Sequence, residues 1–234
     1  HPVRLTGSGR TDTGVHALGQ VANFYTEKTI PAENLQRALN SILPKDIVIR
    51  QIRDVPEEFH SRRDAVLRYY RYQCYVAGQP SAFYHHLSLY LRQLPNLEAM
   101  QQAARFFEGT HDFSAFRSLH CDSAQPVRTV RDISIIDNPP FLYMDIKANA
   151  FLRNQVRIMA GTLLEVGKGR MNVSTIPAIL ESRDRRKAGP TLPAKGLFLM
   201  KVYYAEDLES SAYKELIRLR QKLNGRNNLS EVEE

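Results

Sequence analysis

Cysteines are few and long apolar runs are missing, and the two absences narrow the class of protein. The 234 residues include two cysteines, Cys74 and Cys121, which are too few and too widely separated for a disulfide framework. No apolar run approaches the length that crosses a membrane, and no charged-then-apolar leader precedes the first glycines. We therefore expect a protein of the reducing cytoplasm with no membrane partner.

Several chemical signatures are absent as well. The glycine-rich segment near the start lacks the Gly-Lys-Ser/Thr ending of a Walker A loop, and Asp12 occupies the place of the third glycine in a dinucleotide fingerprint. His111, His120 and Cys121 show no paired metal-ligand spacing. A paired-carboxylate hydrolase would need a second acid, and none lies close to Asp12 in sequence, although a distant one stays open. The sequence gives no sign of a zinc site or of a bound dinucleotide.

Basic side chains are in moderate excess. Lysine and arginine number 32 against 25 aspartates and glutamates, which gives a formal net charge of +7. Such an excess favours polyanionic partners, because these cations bind phosphates and release counterions. The arginine groups are at residues 62–63, at Arg183 and at residues 185–187. For each of them, solvated surface charge is the alternative interpretation.

Residues 7–17 hold the densest group of chemical functions in the chain. Three glycines, an arginine, a carboxylate and a histidine share a turn-rich stretch, and an apolar run follows at 21–25. Glycine allows the backbone to approach a ligand closely, and Asp12 offers a nucleophile or base beside the guanidinium of Arg10. An Asp that caps a helix or closes a turn is the alternative. We interpret the segment as an active-site loop.

The same segment resembles the catalytic signature of a known family. Residues 9–17 read Gly-Arg-Thr-Asp-Thr-Gly-Val-His-Ala and are followed by Gly-Gln-Val at 19–21. This order is similar to that of the TruA-type tRNA pseudouridine synthases, and further matches extend the resemblance to roughly residues 4–204. The resemblance implies that Asp12 is the one essential catalytic residue. It also implies that this Asp attacks the target uridine or takes a proton while the glycosidic bond breaks and re-forms.

A second match is the Arg-Tyr-Tyr-Arg-Tyr run at 68–72 in a predicted strand. Side chains alternate between the faces of a strand, so Tyr70 and Tyr72 share one face while Tyr69 and Arg71 share the other. The resemblance implies that Tyr70 lies in the active site and contacts the target base. Burial in the core of the sheet is the alternative for Tyr70, and it is the interpretation that we adopt for Tyr69 and Tyr75.

A third match covers residues 149–157, which resemble the second signature of the family. Arg153 and Arg157 are four residues apart and share a helix face that borders an apolar stripe. A guanidinium held there requires a carboxylate or a phosphate. The resemblance implies a catalytic site in which Arg157 pairs with Asp12. The alternative is a structural ion pair of Arg157 with Glu165 or Glu181.

Four further residues are assigned with less support from the residues themselves. The segment that ends in Arg62 resembles a Phe-His-Ala-Arg segment of the family, although Ser61 replaces the small apolar residue. The segment that ends in Leu197 resembles one whose apolar residue lines the cleft, and a core leucine is the alternative. We assign Arg10, Arg62 and Leu197 to substrate binding and expect His16 to support the loop.

The mixture of predicted helices and strands indicates an α+β fold. The resemblance implies two ferredoxin-like halves with mainly antiparallel sheets and a catalytic cleft between them. We expect the first half at 1–62, apparently without the family's first strand and helix, the second at 63–207, and a charged helical tail at 208–234. Within them, alternation predicts a strand at 46–55, and apolar spacing predicts a helix at 151–166.

The predicted function is isomerisation of uridine to pseudouridine in the anticodon stem-loop of tRNA. The resemblance implies no cofactor and no metal, since the reaction is neither a redox reaction nor a hydrolysis. It also implies a homodimer, with one tRNA reaching across both subunits. One alternative is a catalytically inert RNA-binding protein of the same fold. Another is a truncated chain of that fold which lacks activity. A phosphate-handling hydrolase that uses the glycine loop is a further alternative.

Overall fold

The computed structural model describes residues 3–118, 121 and 124–205. These residues form nine β-strands and four α-helices. In chain order they are β1 (Thr6–Gly7), β2 (His16–Ala17), β3 (Ala22–Asn23), α1 (Ala32–Ile42), β4 (Leu67–Val76), β5 (Leu89–Leu91), α2 (Leu97–Arg105), β6 (Gly109–Asp112), β7 (Val127–Asn138), β8 (Phe141–Ala148), α3 (Gln155–Gly167), α4 (Thr175–Ser182) and β9 (Leu197–Tyr203). None of these helices has both the length and the apolar composition that a membrane crossing requires. The predicted tail at 208–234 lies outside the described residues.

The described chain divides into two compact units. The smaller unit comprises residues 3–8 and 21–64. The larger unit comprises residues 9–20 and the described residues from 65 to 205. The loop that carries Asp12 therefore belongs to the same unit as β4 and α3, although the smaller unit separates them in the sequence.

The smaller unit is organised around a short strand pair. Strands β1 and β3 are antiparallel, with Thr6 opposite Asn23. The buried Ser61 bonds to both strands: its hydroxyl donates to the carbonyl of Thr6 (2.8 Å), and its N–H donates to Asn23 Oδ1 (3.0 Å). Among the described residues of this unit no apolar side chain is fully buried, and Ser61 links the two strands through polar contacts.

The predicted strand at 46–55 is wrong. The structure contains no strand there, because side chains of α1 occupy the backbone groups that a neighbouring strand would bond. Asn40 Oδ1 accepts from the N–H of Ile49 (2.7 Å), and the carbonyl of Ile49 accepts from Asn40 Nδ2 (2.9 Å) and Gln36 Nε2 (3.0 Å). The alternating isoleucines thus belong to an extended segment that is bonded to a helix.

The larger unit is built on a seven-stranded mixed sheet. Its strand order is β2-β9-β4-β8-β7-β6, and β5 also pairs with β4. All pairs are antiparallel except β2 with β9 and β4 with β5. One edge of β4 bonds β9 along Leu67–Tyr72 and then β5 along Cys74–Val76. The predicted α+β class and the mostly antiparallel sheet are confirmed.

The two faces of this sheet differ in chemistry. On one face Tyr72 of β4 and Met144 of β8 are fully buried in the main hydrophobic core, to which α2, α3 and α4 contribute. On the other face Asp145 accepts from Arg71 Nε (2.7 Å) and Nη2 (2.8 Å) and from the hydroxyl of Tyr69 (2.6 Å). The predicted alternation along β4 is confirmed. The prediction that Tyr69 and Tyr75 are core residues is wrong, because both are only half-buried and Tyr69 lies on the polar face. The nearly buried Asp145 carboxylate therefore has two charge-assisted partners.

Helix α3 is buried along its whole length and begins later than predicted. All of its residues are buried except Arg157 and Glu165. Residues 151–154 are outside the helix, because Asn154 has φ 64°, a left-handed conformation that does not continue into a right-handed helix. The prediction that the helix starts at 151 is therefore wrong by four residues. The site of interest lies at this start.

The close packing of α3 gives a stability prediction. A Cβ added at Gly161 would lie 2.0 Å from the carbonyl oxygen of Pro190, so Gly161→Ala should lower the free energy of unfolding by about 1–3 kcal/mol. Urea unfolding of the purified variant measures the change. Gly78→Ala is the matched control, since a Cβ there meets no atom within 4 Å. Equal unfolding midpoints for the two variants would contradict the packing argument.

Candidate active site

The loop that presents Asp12 is held by a turn in its own backbone and by the sheet. In the turn, the N–H of Val15 donates to the carbonyl of Asp12 (3.0 Å), and Gly14 has φ 82°, the left-handed value that a type II turn requires at its third residue. At the sheet, β2 pairs with β9, and the N–H groups of Leu18 and Gly19 donate to the carbonyl of Leu199. Asp12 therefore projects from a turn that is held by the sheet.

Helix α3 brings Arg157 to this turn. Nη1 of Arg157 lies 3.1 Å from Oδ2 of Asp12, and the side chains are 16% and 29% exposed. The predicted contact is therefore present. Glu165, which was the structural alternative, instead pairs with Lys168 (3.7 Å) and Arg170 (3.6 Å). The cation of α3 is thus directed at the loop and not along its own helix.

The guanidinium of Arg157 is held by more than Asp12. Its Nε donates to the carbonyl of Leu192 (2.6 Å), and its Nη1 donates to Oδ1 of Asn154 (2.7 Å). The backbone takes part too, because the N–H of Leu192 donates to the carbonyl of Arg157 (3.3 Å). A surface ion pair between two mobile side chains contributes little to stability. Here the bonds fix the cation, so the geometry of the pair is defined in advance.

Tyr70 of β4 lies at the same site. Its ring packs edge-on against Phe151, with centroids 5.3 Å apart. Burial raises the pKa of Tyr70 to about 12; the charge of Asp12 adds to the rise and that of Arg68 opposes it. At neutral pH the phenol is therefore protonated and can donate a hydrogen bond. Tyr70 is also opposite Leu199 of β9, whose carbonyl holds the loop of Asp12.

Leu197 belongs to the hydrophobic core. It is 5% exposed and pairs with Tyr72 in the ladder between β4 and β9. The hydroxyl of Tyr72 donates to the carbonyl of Pro193 (2.8 Å), and Gly196 lies so close that a Cβ there would be 2.8 Å from the tyrosine ring. The structure thus gives Leu197 a packing role, and its role in lining a cleft stays a prediction.

The remaining predicted residues are Arg10, Arg62 and His16. Arg10 is exposed, and no ion pair among the described residues involves it. Arg62 belongs to the smaller unit, where its side chain is exposed and its N–H donates to Nδ1 of His60 (3.2 Å). His16 does support the loop, as expected: its ring stacks on Phe198 (4.8 Å), and its Nε2 bonds the carbonyl of His86 (2.9 Å).

Sequence reasoning missed two groups that hold Arg157. Asn154 lies three residues before Arg157 and directly before an apolar helix, where an asparagine predicts an N-cap and not a partner for a cation. Spacing of three residues on a helix was the available signal. Leu192 acts through its carbonyl, which no pattern of side chains reveals.

The side chains that the structure brings together are one carboxylate, one guanidinium and one protonated phenol. A single carboxylate beside a cation suits nucleophilic attack or proton transfer, since glycoside hydrolysis generally needs two acids. Within the described part of the chain, no three His, Cys, Asp or Glu side chains are arranged to hold a metal ion.

Comparison with known proteins gives consistent matches. The family described as tRNA pseudouridine synthase matches residues 1–64 and 103–205. The tRNA pseudouridine synthase A of Acetivibrio thermocellus is 47% identical over 202 residues, which cover 86% of this chain and 83% of that protein. The protein of the same name from Ruminiclostridium cellulolyticum is 43% identical over 203 residues, which cover 86% of this chain and 83% of that protein. The one from Geobacter sp. is 42% identical over 203 residues, which cover 86% of this chain and 82% of that protein. The matched family ranges contain both Asp12 and Arg157.

The raised pKa of Tyr70 predicts a pH-dependent loss of stability. A tyrosine ordinarily titrates near pH 10, whereas the pKa of Tyr70 in the folded chain is about 12. The unfolded chain releases this proton first, so the contribution of Tyr70 is complete below pH 10 and is lost as the pH rises to 12. Tyr70→Phe should therefore flatten the fall of the unfolding free energy across this window, as measured by urea titrations. A Tyr70→Phe protein whose unfolding free energy falls as steeply as that of the wild type across this window would contradict the assignment.

Proposed function

The chain belongs to the tRNA pseudouridine synthase family, and from that premise we propose that Asp12 is its catalytic group, with Arg157 and Tyr70 as partners. Family membership makes the protein an isomerase that converts uridine in tRNA to pseudouridine. The observation that carries the residue assignment is the 3.1 Å ion pair between Arg157 and Asp12. It joins the two parts of the chain that resemble the family's two signatures.

The chemistry requires one group that attacks the nucleotide or takes a proton from it. The bond between N1 of uracil and C1′ of the ribose breaks, and a bond between C5 and C1′ forms. C5 loses a proton and N1 gains one, so atoms and electrons balance without an oxidant or a water molecule. Asp12 is suited to this work as nucleophile or base. Arg157 bonds Oδ2 of Asp12, so we assign Oδ1 to the nucleotide.

Arg157 acts by fixing the carboxylate. Its guanidinium is itself bonded to Leu192 and Asn154, so the direction of the Asp12 side chain is set before substrate arrives. Preorganised groups of this kind lower a barrier because orientation is established before the reaction begins. The positive charge also balances the carboxylate in a partly shielded site. We therefore place Arg157 in the catalytic machinery together with Asp12.

Tyr70 is assigned to the target base. An enzyme that reacts at a base must take the base out of its stack and hold it by stacking and hydrogen bonds. The pKa of Tyr70, raised by burial, keeps its phenol protonated at neutral pH, so the hydroxyl is a dependable donor. Phe151 fixes the ring edge-on. Replacement of the hydroxyl alone would separate the hydrogen bond from the aromatic contact.

The tRNA itself is assigned to exposed arginines. The side chain of Arg183 is 69% exposed and pairs with Asp112. The side chain of Arg186 is 89% exposed and pairs with Asp184. Exposed cations of this kind bind phosphates and position a folded RNA by its shape. We assign Arg10 and Arg62 to substrate binding as well. The anticodon stem-loop is the substrate region that the family resemblance favours.

The cellular location, oligomeric state and cofactor requirement are inferred from the family resemblance. We propose a cytoplasmic homodimer that binds one tRNA across both subunits and needs neither cofactor nor metal. Leu197 as a wall residue, the two ferredoxin-like halves at 1–62 and 63–207, and the cleft between them stay predictions of the same kind. The alternative is an RNA-binding protein that has kept this fold without activity.

Removal of the Asp12 charge tests the assignment. Wild-type and Asp12→Asn proteins are incubated with unmodified tRNA transcript in EDTA, and pseudouridine is mapped by mass spectrometry. We expect the wild type to form product in the anticodon stem-loop. The rate of Asp12→Asn should be at least about 10³-fold lower, with tRNA binding retained. Asp137→Asn, at an exposed aspartate of β7, is the control and should match the wild type.

Each contrary result identifies a different alternative. A folded wild type that binds tRNA and forms no product would favour the inert RNA-binding protein. Activity that disappears in EDTA and returns with a divalent cation would favour metal-dependent chemistry. Wild-type activity in Asp12→Asn would remove Asp12 from its assigned role.

A further inference from the structure

Asn154 has a backbone conformation that few residues adopt. Its φ is 64° and its ψ is 3°, and among the described residues the only other non-glycine residue with positive φ is Arg183. Left-handed backbone is unfavourable for residues with a Cβ, and asparagine tolerates it better than most. Such a conformation at a functional site calls for a compensating contact.

Helix capping does not supply that contact. Asparagine at an N-cap usually accepts a hydrogen bond from a backbone N–H of the first turn. Asn96 does this for α2, where its Oδ1 accepts from the N–H of Ala99 (3.0 Å). Asn154 occupies the equivalent position before α3, and its side chain makes no capping bond. Its amide is therefore used for something other than the helix.

The amide oxygen of Asn154 bonds the cation of the site. Its Oδ1 lies 2.7 Å from Nη1 of Arg157, and the same nitrogen lies 3.1 Å from Oδ2 of Asp12. A terminal guanidinium nitrogen carries two hydrogens. Asn154 accepts one of them, and the other is directed at Asp12. Nε is fixed separately by the carbonyl of Leu192 (2.6 Å), so the rotation of the guanidinium is determined.

We propose that Asn154 is a positioning residue, which orients Arg157 and through it the carboxylate of Asp12. The proposal rests on the function assigned above to Asp12. The left-handed backbone is part of the device, because it ends the preceding turn and leaves the side chain facing Arg157 three residues later. Because Asn154 acts through Arg157, we expect its effect to fall on the rate of the chemical step and not on the affinity for tRNA.

Asn154→Gly separates this role from a purely structural one. Glycine adopts left-handed backbone without strain, so the variant keeps the start of α3 and loses only the amide. Asn154→Asp retains an oxygen acceptor on a residue that also tolerates this conformation. Asn96→Gly is the matched control: it removes an asparagine from the N-cap of α2, where the side chain caps the helix.

The experiment measures kcat and KM for a tRNA transcript, together with thermal unfolding, for these variants, Asp12→Asn and the wild type. For Asn154→Gly we expect kcat to fall about tenfold, with KM within about twofold and unchanged Tm, because one charge-assisted bond that orients Arg157 is lost. Asn154→Asp should recover at least part of the rate. Asn96→Gly should show the opposite pattern, a lower Tm with wild-type kcat.

Three results would overturn the proposal. Wild-type kcat in Asn154→Gly, with Asp12→Asn inactive, would remove the positioning role and leave the function of Asp12 intact. Equal rates for Asn154→Gly and Asn154→Asp would show that the acceptor is not what matters. Wild-type activity in Asp12→Asn would remove the assigned function of Asp12 and this proposal with it.

Discussion

The ion pair between Arg157 and Asp12 is the interaction on which the rest of the site depends. The two residues are 145 positions apart in the chain. They meet because the loop held on β9 presents Asp12 next to the first turn of α3, which carries Arg157. A charge pair of this exposure contributes little to folding by itself. Its importance is geometric: the carboxylate of the proposed catalytic group has one defined direction.

Tight packing around α3 gives the pair its rigidity. The segment that contains Leu192 lies against the helix, because Gly161 leaves room for the carbonyl of Pro190 and the hydroxyl of Thr162 accepts from the N–H of Gly189 (2.9 Å). This contact brings the carbonyl of Leu192 to Nε of Arg157. The site is therefore an extension of the core, and a change of packing on α3 is a change in the position of the cation.

Patterns in the sequence predicted the parts of the structure that are determined by neighbouring residues. Alternation along β4 predicted which side chains share a face, but it did not predict that the face with Arg71 would be the polar one. The resemblance to the family indicated the contact of Arg157 with Asp12. The strand at 46–55 failed because side chains of α1 bond its backbone, which alternation does not record. The start of α3 failed because of one left-handed residue, Asn154. Its bond to Arg157 also escaped notice, since an asparagine before a helix indicates a cap.

The most direct test of this account is the single-turnover rate of Arg157→Met on a tRNA transcript at saturating enzyme. Methionine keeps much of the length of the side chain and removes the charge and every donor. The account predicts a rate roughly 100-fold or more below wild type, with the dissociation constant for tRNA nearly unchanged. Arg105→Met, at an exposed position of α2, controls for the loss of a positive charge. A folded Arg157→Met protein that reacts within about twofold of the wild-type rate would contradict the central role of the ion pair.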